Sequence, residues 1–186
     1  GKERESFEEG QYQSDVKYFQ DRAALFPDKA GAELAMMQQR TVGYLRGKGR
    51  STEEINAALR DNTDKAHASV LSSLLSGGQD AEAVKYFDAN KAGMQADTVA
   101  RSEVAIRQAV TLTAAQTNAK EVMARGIPMD QALAETREKF KGDGKAAELA
   151  VNQVKTRYAE RDLAVKQAEQ SSYEAARLHV ERGQQI

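Results

Sequence analysis

An all-α fold is predicted by three features of this chain. Apolar residues recur every three to four positions along most of its length, glycine clusters fall where those runs stop, and only two prolines occur in 186 residues. Ala, Gln, Glu, Lys and Arg are abundant, and these side chains lose little freedom in a helix. No stretch alternates apolar and polar residues with period two, so no sheet is expected. The expected architecture is an elongated bundle of about seven helices in stacked helical hairpins, ending in a long C-terminal helix. A chain of this length buries a real core without disulfide or metal staples.

The elements follow in order. Residues 1–11 are charged and lack apolar periodicity, so they are expected to fray. Tyr12, Val16, Phe19, Ala23 and Phe26 share one helix face. Pro27 closes that helix, because it removes a donor and disfavours helix at the preceding residue. A second helix over about 28–46 carries Leu34, Met37, Thr41 and Tyr44 on one face and stops at Gly47-Lys48-Gly49. Ser51 and Glu54 have capping-box spacing. The helix they open carries Ile55, Leu59, Ala66, Val70 and Leu74, although its Asp61-Asn62-Thr63-Asp64 run leaves room for a break.

Gly77-Gly78 ends that helix, and Asp80 is expected to cap a short one with Val84 and Phe87 directed inward. A long helix over about 96–125 shows two stripes. One is Ala105, Ala109, Leu112, Ala119 and Met123; the other is Val99, Ile106 and Val110. Two stripes predict packing between two neighbours. Gly126 ends it, and Pro128 suits the first turn of the next helix, which shows Met129, Leu133, Thr136 and Phe140. The last helix, about 145–182, repeats Ala147, Val151, Val154, Tyr158, Val165, Ala168 and Ala175 at heptad spacing, with Arg161 and Ser172 interrupting. A weak internal echo aligns Gly49 with Gly126, each followed four positions later by an acidic residue, Glu53 or Asp130. The expected organisation is a frayed segment over 1–11, a hairpin bundle over 12–160 and a projecting helix over 161–186.

Composition narrows the function classes. Net charge is −1, and the stretch from Lys145 to Arg182 interleaves seven basic with six acidic residues. Specific nucleic-acid binding is not expected, because it wants a basic face or stripe. No Cys is present, which removes disulfides, thiolate chemistry and Cys-type zinc sites. No apolar run approaches the roughly 20 residues that span a bilayer, and no signal peptide is visible. A start at Gly1 with no Met reads as a fragment of a longer protein, with Gly1 a cloning remnant.

No catalytic, cofactor or metal site is nominated. His67 and His179 lie far apart and have no second ligand at metal spacing, so each reads as a surface or hydrogen-bonded side chain. Gly47-Lys48-Gly49-Arg50-Ser51-Thr52 resembles a phosphate loop only superficially. It lacks the required spacing and a preceding strand, so a turn with a capping box is the better account. Asp88-Ala89-Asn90-Lys91-Ala92-Gly93 starts like a calcium loop but has Ala92 at its fifth position and Val99 at its twelfth. Asp143, between two glycines, reads as helix punctuation. The carboxylates show no pair set for acid–base work. Tyr12, Phe19, Tyr44, Phe87, Phe140 and Tyr158 sit on apolar stripes and are expected in cores, whereas Tyr18 and Tyr86 are expected at rims.

The stretch from Ala83 to Met94 (Ala83-Val84-Lys85-Tyr86-Phe87-Asp88-Ala89-Asn90-Lys91-Ala92-Gly93-Met94) is the most distinctive. It follows His67 to Gly78 and precedes Met129-Asp130-Gln131-Ala132-Leu133 and Phe140-Lys141-Gly142-Asp143. Across about 51–158 these segments resemble helical regions of the internal, or ejection, proteins of tailed-bacteriophage virions. Some of those proteins carry a peptidoglycan-degrading transglycosylase domain elsewhere. The resemblance implies a structural virion part delivered into the host envelope, with no catalysis in this segment. The transglycosylase motif is absent here, and no functional residue carries over.

Three roles follow. The first is a non-enzymatic assembly module that binds other virion proteins or itself, through a candidate partner surface of Val165, Ala168, Tyr173, Ala176 and Val180 on the last helix. The second is a repeat-type peptide-binding module with a groove lined by Tyr44 and Tyr86. The third is a helical scaffold within a larger envelope-cutting enzyme. None calls for a cofactor or a small-molecule substrate.

Overall fold

The computed structural model describes residues 2–183, and these are all-α: seven α-helices, two single 3-10 turns and no strand. The helices are α1 (Lys2–Leu25), α2 (Ala30–Gly47), α3 (Thr52–Ser76), α4 (Asp80–Asn90), α5 (Ala96–Ala124), α6 (Met129–Lys139) and α7 (Gly144–Gly183). Two compact units divide the chain where a single bundle over 12–160 was expected. The boundary lies between Ala109 and Val110, inside α5. Each unit has its own apolar core.

In the first unit, α1, α2 and α3 pack together and α4 lies on α3. Tyr12, Val16 and Ala23 of α1 meet Leu34 and Met37 of α2, Val70, Leu71 and Leu74 of α3, and Ala83 and Phe87 of α4. The N-terminal segment departs from expectation, because residues 2–11 are the first turns of α1. Charge pairing supplies what the apolar pattern lacks: Glu8 takes Arg4 at 2.9 Å and Lys48 at 2.6 Å. Gly1 lies outside the described residues. Arg40–Asp15 at 2.6 Å and Arg22–Glu33 at 2.8 Å tie α1 to α2.

Helix α3 runs through the Asp61–Asp64 stretch without a break. These polar side chains compete with helix when they bond locally, but here they bond across to other helices. Asn62 Nδ2 donates to Tyr12 Oη at 3.1 Å and Thr41 Oγ1 at 3.2 Å. Asp64 accepts from the Gln95 backbone N–H at 2.8 Å and from the Thr98 hydroxyl. A carboxylate on α3 therefore caps the N-terminus of α5, where the helix dipole favours negative charge.

Two inward assignments are corrected. Phe26 is exposed, lying past the end of α1, and Val84 is exposed while its neighbour Ala83 is buried. The two stripes of α5 do not both pack along their length. Val99 and Ile106 join the first core and Ala119 and Met123 the second, whereas Ala105, Val110 and Leu112 face solvent. The stripes serve successive units rather than two flanking helices.

In the second unit, α6 and α7 form a hairpin against the C-terminal part of α5. Ala119 and Val122 pack with Ala132, Leu133, Val154 and Tyr158. Tyr158 Oη donates to the Ile127 carbonyl at 2.6 Å, and Asn118 donates to Thr136 Oγ1 at 2.9 Å. Asp143 punctuates as predicted: its Oδ1 accepts from the backbone N–H groups of Lys145 and Ala146. Gly49 and Gly126, the pair in the internal echo, both adopt left-handed backbone, with φ of 70° and 65°.

Candidate interaction surface

Helix α7 changes character at Tyr158. Before it, Ala146, Ala150, Val154 and Tyr158 are buried, the last two in the core shared with α5 and α6. From Ala159 to Gly183 every residue is exposed. The first of these turns is steadied by Arg161, whose guanidinium lies 4.6 Å from the Tyr158 ring centroid. Farther on, Gln170 bonds Glu174 and Arg177 pairs with Glu181, local i,i+4 contacts that support a helix weakly.

This exposed half carries large apolar side chains. Val165 is 50% exposed, Tyr173 71% and Val180 57%. At 100° per residue, Val165, Tyr173, Ala176 and Val180 fall within an arc of about 80°. Ala168 lies outside that arc, toward the small-residue flank with Ala164 and Ala175. The five sequence-nominated residues are therefore all exposed, and four of them share a face. Two comparable side chains were not nominated from sequence: Leu163 and Leu178, on the other side of the helix, are also half exposed or more. Their spacing of fifteen residues, close to four turns, carries the signal that would have found them.

The other nominated residues resolve locally. His67 is buried, and its Nδ1 lies 2.8 Å from Tyr86 Oη. Burial holds the His67 ring below its ordinary value, with Asp64 pulling the other way, and pushes the Tyr86 phenol up to about 12. The two groups share one hydrogen bond, whose donor is set by the imidazole tautomer. His179 is exposed on α7. The glycine-rich turn at 47–52 holds the capping box: Glu54 N–H donates to Ser51 Oγ, and Ser51 N–H to the Glu54 carboxylate. Asp88 is paired with Lys91 at 2.7 Å.

Tyr44 and Tyr86 line different depressions. Tyr44 stacks on Tyr12 at 4.2 Å beside Lys48 and Asn62, whereas Tyr86 borders one with Pro27, Leu74 and Ala89. A single groove holding both tyrosines is not formed. Among the described residues no group of three or more His, Asp or Glu is placed to hold a metal ion, and no helix is long and apolar enough to cross a membrane.

No protein-family model, curated protein or solved structure matches this chain. Function therefore rests on the site itself.

Proposed function

We infer that this chain is a non-enzymatic assembly module, a helical part of a tailed-phage internal virion protein that enters the host envelope at infection. Its distal α7 is the surface that joins it to other virion proteins. The observation that carries this reading is the run from Ala159 to Gly183, exposed at every residue yet studded with Leu163, Val165, Tyr173, Leu178 and Val180. Single exposed apolar residues are ordinary on a soluble surface. Five on one stretch that packs on nothing favour a partner, because covering each large apolar side chain stabilises by about 1.5–3 kcal/mol. The resemblance of residues 51–158 to virion ejection proteins supplies the biological setting. The test replaces Tyr173→Glu and Val180→Glu together in the full chain. Expected is unchanged thermal unfolding with loss of incorporation into particles. Normal incorporation contradicts the assignment.

A further inference from the structure

Helix α4 is the shortest α-helix of the first unit and packs on α3. It has eleven residues, of which Ala83 and Phe87 are buried, and it lies between the Gly77-Gly78 turn and the 3-10 turn Lys91–Gly93. Those turns make it a segment separate from α3 and from α5. One side-chain hydrogen bond joining it to α3 lies between Tyr86 Oη and His67 Nδ1, and His67 is 6% exposed.

We propose that α4 is an acid-released flap: protonation of His67 on α3 favours the state in which α4 has lifted from the first core. The groups that act on His67 are few. Asp64 lies one turn earlier on α3 and favours the charged ring, and the Tyr86 phenol faces it from α4. Asp64 is committed to the α5 N-terminus through Gln95 and Thr98, so it offsets the burial of an imidazolium only in part. In the closed state a protonated Nδ1 can only donate, so the Tyr86 phenol must serve as acceptor while the charged ring stays buried. With α4 lifted, the charged ring is hydrated. Opening takes up a proton, which is the condition for acid to drive it. Lifting also uncovers the apolar places filled by Ala83 and Phe87, beside Leu74.

The test is amide hydrogen exchange of the full chain between pH 7.5 and 5, corrected for the intrinsic rate, with α6 as internal reference. Opening of α4 is expected to rise with acid by up to about tenfold per pH unit, the limit for one proton taken up, while α6 does not change. In His67→Gln, whose amide oxygen can accept from Tyr86, the acid response of α4 is expected to vanish. Tyr86→Phe is expected to open more at every pH and to keep an acid response. An α4 that tracks α6 across the range, or a His67→Gln variant that still responds, overturns the proposal.

Discussion

Asn62 shows how one side chain can decide local structure. It joins α3 to the Tyr12 and Thr41 hydroxyls, with Tyr12 and Thr41 both buried. Asn62→Ala strands those hydroxyls with one partner fewer and should destabilise by about 1–3 kcal/mol, read as a lower urea midpoint. Met37, 1% exposed, is a core site of a different kind. Met37→Ala should cost about 2–5 kcal/mol through lost burial and a cavity. His67 adds a pH dependence. Burial lowers its value from 6.5, so the unfolded chain binds the proton more readily. The stability this gives is present above 6.5 and is lost as pH falls through the lowered folded value. Denaturant titrations from pH 8 to 5 should show that loss, and His67→Gln should flatten it.

Sequence legibility at this scale was uneven. Tyr12, Val16, Met37, Val70, Leu74, Val154 and Tyr158 declared themselves through spacing, since each faces a core at helical period. Asn62 and Asp64 did not. A helix-disfavouring residue reads as a weak point until its partner, twenty or more residues away, is known. Leu163 and Leu178 lie away from both the heptad seam and the face of Val165, Tyr173, Ala176 and Val180, so neither pattern points to them although both are exposed.

Punctuation governs the elements. Helix starts at Ser51 and Asp143 were legible because an N-cap needs only nearby residues. Ser51→Ala should cost about 1 kcal/mol by removing one half of the capping box. The glycines divide by conformation. Gly126 has φ of 65°, so Gly126→Ala should destabilise by about 1–2 kcal/mol. Gly43 lies exposed inside α2 with nothing within 4 Å of an added Cβ. Gly43→Ala should stabilise by about 0.4–1 kcal/mol. Opposite signs for the two substitutions in thermal melts check the assignment. The N-terminal turns of α1 escaped sequence reading for a related reason: ion pairs such as Glu8–Lys48 join residues forty positions apart and leave no periodic trace.

For the whole molecule, the all-α class and the long last helix followed from periodicity alone, whereas the division into two units did not. An amphipathic stripe tells that a helix has a buried side, not which partner buries it, and α5 presents its stripes to two cores in turn. The same limit applies to α7, where one continuous helix is buried up to Tyr158 and bare beyond it. The role inferred for the chain depends on that change. Amide hydrogen exchange across α7, in the free chain and in assembled particles, tests it most directly. Residues 146–158 should be protected in both states, and residues 160–183 should exchange fast in the free chain and slowly in the particle. Equal exchange of 160–183 in the two states would contradict the assembly role.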